Sequence, residues 1–182
     1  MKECLGIYTP DQKLADLHLH TNKSDGYLGP LQIVGLAVAT RRLDAIAITD
    51  HDTIRPAAEA KEYGLKYSLP LDVVVGAEIS TSDGHLLGLF LQHDVPSRKS
   101  AEWTIKQIHR QGGLAIAAHP LFKREKSFTE DTLFSLMSNP DPEVQLDGYE
   151  VFNAGVNHYS DTANAEAKEI YLKYEGRLGA PI

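Results

Sequence analysis

Short apolar runs of strand length recur along the chain, each bounded by Gly, Pro, Asp or His. They cover residues 15–20, 43–49, 71–79, 85–91, 113–119 and 148–154. Segments of helical composition lie at 29–42, 54–67, 100–113, 128–139 and 160–176. Because strands that are apolar on both faces and alternate with helices are typical of parallel sheets, the pattern predicts an α/β fold with a parallel sheet, either open or closed into a barrel.

Capping residues mark several predicted helix ends. Ser100 and Thr129 are expected N-caps, and Gly113 and Gly176 stand where C-terminal caps would fall. The final residues, GRLGAPI, have the composition of the start of another strand. We therefore expect the fold to be truncated before its last strand.

Composition narrows the class of protein. The 182 residues are 42% hydrophobic, which predicts a single domain over 1–182. A formal charge of -7 argues against an extended nucleic-acid-binding surface, although a local basic pocket or bound metal ions could still hold a phosphate. One cysteine, Cys4, permits no internal disulfide, and no apolar run approaches the roughly 18 residues of a membrane span. We expect a soluble, cytoplasmic protein.

Histidines concentrate at the ends of the predicted strands. In a parallel α/β fold these ends face the loops that build active sites, so the side chains are expected to converge. Five of the eight histidines have such positions: His18, His20, His51, His85 and His119. His93, His109 and His158 fall in a loop, a helix and another loop, and we interpret them as surface residues.

His18 and His20 lie two residues apart on the first predicted strand, so both side chains leave the same face about 7 Å apart and could share one ion. Two surface histidines on an edge strand are the alternative. Leu17 and Leu19 are expected on a buried opposite face, which favours an interior strand whose imidazoles need polar partners. Asp16 could accept a hydrogen bond from one of them.

Carboxylates follow the first two strands. Asp25 lies in a Ser-Asp-Gly turn, and taken alone it is best explained as a turn former. The second strand ends in Asp50, His51 and Asp52. A helix cap explains Asp52 or Thr53, but not Asp50 beside His51. We take Asp50 as a candidate catalytic carboxylate.

Glu78 lies within the third apolar run, where a carboxylate is costly unless it is paired or bound to a metal ion. No basic residue occurs in that run, so Glu78 is a candidate for a carboxylate that bridges two ions. His85 opens the next strand and His119 closes another. Either histidine alone would more often be a satisfied core residue, but six such residues on successive strands favour a metal centre.

Four motifs then carry a family resemblance: DLHLHTNKSDG, ITDHDT, GAEISTSDGHLLGL and AAHP. Over residues 14–154 their order and spacing resemble the polymerase-and-histidinol-phosphatase (PHP) superfamily. The Ser-Asp-Gly form is similar to its small stand-alone phosphoesterases active on nucleotides and short RNA. The resemblance implies a distorted (β/α)7 barrel with three metal ions at the C-terminal mouth.

Seven residues match the family's metal ligands. The resemblance implies His18, His20 and Glu78 for the first ion, Glu78, His85 and His119 for the second, and Asp25 and His51 for the third. The family's last motif, Asp-x-His, is absent, and its expected position lies just beyond Ile182. Either the natural protein is longer or the first and third sites are incomplete in this chain.

A mixed set of histidines and carboxylates suits up to three divalent ions, with Zn²⁺, Mn²⁺ or Fe²⁺ favoured over Mg²⁺. The expected reaction is hydrolysis of a phosphomonoester or phosphodiester of a nucleotide or short oligonucleotide by a metal-bound hydroxide, with Asp50 and Glu78 as the catalytic carboxylates. Lys123 and Arg124, in LFKREK, are candidates to bind the substrate phosphate, although a solvated charged loop is the alternative. Asn153 faces the mouth or caps the next turn.

Two rival functions remain from the sequence. Related barrels that open with His-x-His hydrolyse C–N bonds, but these often carry a metal-bridging lysine, and no lysine lies at an apolar strand end here. The second rival function is that of a non-catalytic metal-binding module. The complete ligand set through His119 argues against it, and the missing last motif argues for it.

Overall fold

The structure, a computed structural model, describes residues 13–159 and 162–174. Its strands are β1 (Ala15–Leu19), β2 (Ala45–Ile48), β3 (Asp72–Ser80), β4 (His85–Leu89), β5 (Leu114–Ala117) and β6 (Gly148–Tyr149). Its helices are α1 (Pro30–Thr40), α2 (Arg55–Lys66), α3 (Ala101–His109), α4 (Glu130–Met137), α5 (Ala154–His158) and α6 (Ala163–Lys173). Each predicted strand and helix is therefore present. The predicted strand start in GRLGAPI and the Gly176 cap lie outside the described residues.

The strands form one sheet in chain order, from β1 to β6. The pairs β1–β2, β2–β3 and β5–β6 are parallel, but β4 runs antiparallel to both β3 and β5. The prediction of a wholly parallel sheet was thus wrong. A parallel connection needs a dozen or more residues, and only 81–84 separate β3 from β4. The sequence carried this signal, because no helical segment lies between the third and fourth apolar runs.

The antiparallel direction decides where His85 lies. Ser80 pairs with His85 and Glu78 pairs with Leu87, so the start of β4 meets the end of β3. Residues directly opposite in a ladder share a face of the sheet, which brings Glu78 and His85 to the same face. In an all-parallel sheet, a histidine that opens a strand would lie at the opposite edge from the other ligands.

Helices cover one face of this curled half-barrel. Beneath α1 and α2 lies a core that includes Val34, Ile46, Ala60 and Val73, and a second core includes residues of α3, α4 and α6. The inner face carries a smaller apolar cluster of Ala47, Leu87, Leu89, Ile116 and Ala118. The described residues hold six strands, so the seven-stranded count stays a prediction. None of their helices combines the length and the apolar content needed to cross a membrane.

Two local expectations changed. The pairing of β1 with β2 shifts register between Asp16 and Leu19, so Leu17 packs with the inner cluster and Leu19 with the core beneath α1 and α2. The two leucines therefore do not share one buried face. After α3, the residue in the left-handed region is Gly112, with φ of 77°, rather than Gly113.

The predicted N-caps are confirmed. Ser100 Oγ accepts a hydrogen bond from the backbone N–H of Trp103, and Thr129 Oγ1 accepts one from that of Thr132. Asp52 does not cap α2: its Oδ1 accepts the backbone N–H of Ser80 at 2.8 Å and so ties the β2 end to β3.

Candidate metal centre

Five histidines converge on one buried carboxylate, that of Glu78 at the end of β3, which is 1% exposed. Oε2 lies 3.1 Å from His18 Nε2, 3.0 Å from His20 Nε2 and 3.6 Å from His51 Nδ1, whereas Oε1 lies 2.9 Å from His85 Nδ1 and 2.7 Å from His119 Nε2. Each oxygen therefore faces its own group of imidazoles. All five strand-end histidines of the sequence pattern meet here.

The first two histidines point at the same place. The Nε2 atoms of His18 and His20 lie 2.9 Å apart, and their ring centroids are separated by 5.0 Å. Within the described residues β1 is the first strand of the sheet and pairs with β2, so the expectation of an interior strand stays a prediction. Both imidazoles nevertheless lie mostly buried in the cluster, because the inner face of the half-barrel encloses them.

Asp25 reaches the cluster from the turn after β1. Its Oδ1 lies 3.0 Å from His20 Nδ1 and its Oδ2 lies 3.8 Å from His51 Nε2, while its side chain is 65% exposed. Gly26 makes the turn possible, since a Cβ there would fall 2.1 Å from the carbonyl oxygen of His20. Asp25 is therefore beside His51, in addition to being a turn residue.

Asp50 lies beneath this turn. It is fully buried, and its Oδ1 accepts hydrogen bonds from the backbone N–H of Thr21 at 2.9 Å and from Ser24 Oγ at 2.6 Å. Its Oδ2 accepts from Thr21 Oγ1 at 2.9 Å. Asp50 thus supports the turn that presents Asp25, and it does not line the pocket that holds the histidines.

The sequence interpretation missed Glu150, which follows β6 directly and is buried. Its Oε1 lies 2.8 Å from His18 Nδ1, which orients that imidazole with Nε2 toward Glu78. Asp16, the predicted acceptor, accepts the backbone N–H of His18 at 3.3 Å and, among the described residues, no imidazole N–H. The signal for Glu150 was the same as for Glu78, a carboxylate inside an apolar run.

Glu150 also holds His119. The backbone of His119 has φ of 26°, in the left-handed region that residues with a Cβ rarely adopt. Glu150 Oε2 accepts a hydrogen bond from the backbone N–H of His119 at 2.6 Å. The carbonyl oxygen of His119 accepts one from Ser127 Oγ at 2.8 Å. Asn153 Nδ2 donates to the same Glu150 oxygen at 3.2 Å, and Asn153 Oδ1 accepts the backbone N–H of Val156, so Asn153 both faces the mouth and caps a turn.

The electrostatics of the cluster favour positive charge beside Glu78. Burial alone would raise the pKa of Glu78, but hydrogen bonds from four histidines hold it well below its usual value. Burial opposes protonation of His18, yet its hydrogen bonds to Glu150 and Glu78 raise its pKa to about 10. The hydrogen bond to Glu78 likewise raises the pKa of His85.

The donor set fits divalent cations. Imidazole nitrogens and carboxylate oxygens are the ligands that Zn²⁺, Mn²⁺ and Fe²⁺ take in proteins. His119 Nδ1 is buried and has no hydrogen-bond partner among the described residues. Three groups bring one ligand atom per residue within 4.8 Å of one another: His18, Glu78 and His119; His20, His51 and Glu78; and His85, His119 and Glu125. Glu125 was not among the predicted ligands.

An open pocket of about 690 Å³ adjoins the cluster and is lined by Glu78 and four of its five histidines, His18, His20, His51 and His119. No lysine or arginine belongs to its lining in the described part of the chain. Lys123 Nζ lies 2.9 Å from Glu166 Oε1, whereas the Arg124 guanidinium lies 5.1 Å from the ring centroid of Tyr159, which does line the pocket. Of the two candidate phosphate ligands, Arg124 is thus the one at the pocket mouth.

The other three histidines lie outside the cluster. His93 is exposed, as expected. His158 is exposed but ends the short helix α5, where a loop was predicted. His109 lies at the surface but is half-buried. Its Nε2 lies 2.9 Å from Asp147 Oδ2, and its Nδ1 lies 3.0 Å from the carbonyl oxygen of Glu143.

No protein-family profile matches the chain, but individual proteins do. The uncharacterized protein MJ1587 of Methanocaldococcus jannaschii is 40% identical over 151 residues, which cover 77% of this chain and 81% of that protein. The 5′-3′ exoribonuclease Rnm of Escherichia coli is 38% identical over 53% of this chain and 33% of its own length. The 3′,5′-nucleoside bisphosphate phosphatase of Chromobacterium violaceum is 32% identical over 57% of this chain and 38% of its own length. The match thus spans 33% of the exoribonuclease and 38% of the phosphatase.

Solved structures share the fold. A protein from Bifidobacterium adolescentis assigned to the metal-dependent phosphoesterases superposes with a TM-score of 0.65 at 19% identity, over 92% of this chain and 86% of that one. A two-domain Bacteroides vulgatus protein that contains a predicted PHP-like metal-dependent phosphoesterase gives 0.57 at 23% identity, over 75% of this chain and 43% of that one. At these identities the likeness concerns the fold.

Proposed function

The chain belongs to the PHP superfamily of metal-dependent phosphoesterases, and we propose that it hydrolyses a phosphate ester of a nucleotide or short oligonucleotide. The substrate class rests on relatives that are named for action on RNA and on nucleoside bisphosphates. The single cysteine of the sequence supports a reducing cytoplasm as the compartment.

One observation carries the proposal: the two oxygens of Glu78 face two separate groups of histidines. Oε2 is approached by His18 and His20, and Oε1 by His85 and His119. A carboxylate that serves two neighbouring ligand sets is suited to bridge two ions. Asp25 and His51, at the outer side of His20, are suited to hold a third.

Divalent ions bound there would activate a water molecule and neutralise the phosphoryl oxygens of the substrate. The protein's own residues do the rest. Glu78 and the histidines would hold the ions, Glu150 orients His18 and holds the backbone of His119, and Asp50 supports the turn that carries Asp25. We therefore propose a positioning role for Asp50 in place of a catalytic one, because its carboxylate faces the turn.

The charge of the pocket supports a need for cations in substrate binding. Its lining includes several carboxylates and, within the described chain, no lysine or arginine. A phosphate dianion would be repelled from such a surface unless bound metal ions reversed its charge. This makes Zn²⁺, Mn²⁺ or Fe²⁺ both the proposed cofactors and the proposed phosphate ligands.

The test is reconstitution of the purified chain. The protein is stripped with a chelator, reloaded separately with Zn²⁺, Mn²⁺, Fe²⁺ or Mg²⁺, and assayed with adenosine 3′,5′-bisphosphate and a 5′-phosphorylated RNA trinucleotide. We expect phosphate or nucleotide release only after reloading. His20→Ala should abolish it, whereas His93→Ala, a matched change at an exposed histidine, should leave it intact.

Absence of turnover with all four metals would refute the proposed phosphoesterase activity. Bound metal without turnover would favour the non-catalytic module, and hydrolysis of amide substrates alone would favour the C–N hydrolase. No lysine lies among the described residues that line the centre, which counts against the latter.

A further inference from the structure

Two large aromatic side chains stand exposed at the mouth of the metal-centre pocket. Phe152 is 62% exposed and Tyr159 is 49% exposed, and both line the pocket that holds the histidines. The buried aromatic residues Phe128 and Tyr149, by contrast, belong to the core. Two aromatic rings at the rim of one pocket provide an apolar surface that a bound ligand can cover.

A series of ring contacts links Tyr159 to the cluster. Phe122 stands 5.9 Å from the ring of His119 and 6.0 Å from the ring of Tyr159, measured between centroids, so aromatic groups run from a candidate ligand to the rim. The Arg124 guanidinium lies over Tyr159, 5.1 Å from its centroid. Small and apolar residues, Ala154, Gly155 and Val156, complete this side of the pocket.

We propose that Phe152, Tyr159 and Arg124 form a stacking subsite for the nucleobase of the substrate. Bases stack on aromatic rings and on guanidinium planes, and such stacking is tolerant of base identity because every base has a π-face. A sugar phosphate without a base would leave this apolar wall in water. The subsite rests on the proposed function, since it places the base at the rim when the phosphate lies at the histidines.

The test measures binding, so it does not depend on turnover. Calorimetry on the metal-loaded protein compares non-hydrolysable 5′-phosphonate analogues of adenosine and of ribose. We expect the adenosine analogue to bind at least about 10-fold more tightly. The double variant Phe152→Leu, Tyr159→Leu keeps apolar bulk but removes the rings, and it should lose this advantage while its affinity for the ribose analogue is unchanged.

Tyr67→Leu is the matched control, because Tyr67 is 55% exposed at the end of α2 and does not line the pocket. It should keep the full preference for adenosine. Equal affinity of the wild-type protein for both analogues would overturn the stacking subsite and leave the phosphoesterase standing. Binding of neither analogue by the metal-loaded protein would instead count against the proposed function.

Discussion

At each of the two edges of the sheet where strands begin or end, histidine is paired with a buried or half-buried carboxylate. The number of histidines that contact the carboxylate differs between these two edges. At one edge, five imidazoles surround the single carboxylate of Glu78. At the other, one imidazole, that of His109, meets Asp147, whose Oδ2 also accepts the backbone N–H of Ala115 at 2.7 Å. Both nitrogens of His109 have partners, whereas His119 Nδ1 has none among the described residues.

The number of histidines for each carboxylate distinguishes a metal centre from a structural pair. One carboxylate and one imidazole satisfy each other, and the pair joins α3 to the loop before β6 without further help. At the cluster, five imidazole rings share the Glu78 carboxylate, and the buried His119 Nδ1 has no partner among the described residues, so the cluster offers nitrogen ligands for cations.

The largest expected effect comes from replacing the shared carboxylate. Glu78→Gln removes the negative charge that holds two ligand groups together, so we expect loss of bound metal and a fall in turnover of about a thousandfold or more. Asp147→Asn is the same chemical change at the other edge. It should leave metal content, measured by plasma mass spectrometry, and turnover unchanged, and equal losses in both variants would erase the distinction.

Glu150→Gln should give the next largest effect. The amide no longer offers a charged acceptor to His18 Nδ1, and support of a ligating imidazole by such an acceptor is typically worth about 10- to 100-fold in metal affinity. Competition with a chromogenic chelator measures the dissociation constant. Glu59→Gln, at an exposed position on α2, is the control. Unchanged affinity in Glu150→Gln would mean that the cluster needs no orienting residue.

Asp50→Asn should act more locally. The turn that presents Asp25 loses its charge-assisted hydrogen bonds from Ser24 and Thr21, so we expect about tenfold weaker binding of one ion, with the others retained. Metal titration followed by calorimetry resolves the separate sites. A uniform weakening of every ion would show that Asp50 acts on the whole centre.

The smallest effect is expected at the opposite edge. His109→Ala removes hydrogen bonds to Asp147 and to the backbone of Glu143, which should cost about 1 kcal/mol and lower Tm by about 2–4 °C. Differential scanning calorimetry measures the shift, and activity at 25 °C should not change. A loss of metal in this variant would contradict the structural role assigned to the pair.

Much of the centre was predictable because the sheet enforces it. A strand that ends at the mouth must deliver its last polar side chain there, and this rule located His51, Glu78 and His119 before any geometry was known. Glu150 obeys the same rule, so its omission was avoidable. The direction of β4 was also readable from the short link between β3 and β4.

Other features depend on contacts that a linear pattern does not contain. Lys123 forms an ion pair with Glu166, which lies 43 residues further along the chain on α6. Asp50 and His51 are neighbours at a strand end, yet one faces the turn below and the other faces Glu78. Successive side chains of an extended segment point to opposite sides, but the sequence does not say which of the two neighbours faces Glu78.

The four-residue turn between β3 and β4 sets a strict limit on chain length. Surface loops usually tolerate insertions, but one extra residue that moved β4 by a single step would exchange its two faces. His85 would then be directed into the helix-covered core, and Leu86 would take its place beside Glu78. An insertion scan with metal content as readout should find residues 81–84 intolerant and the loop at 139–146 permissive. The number of residues in this short turn thus decides whether His85 is available to the second proposed ion.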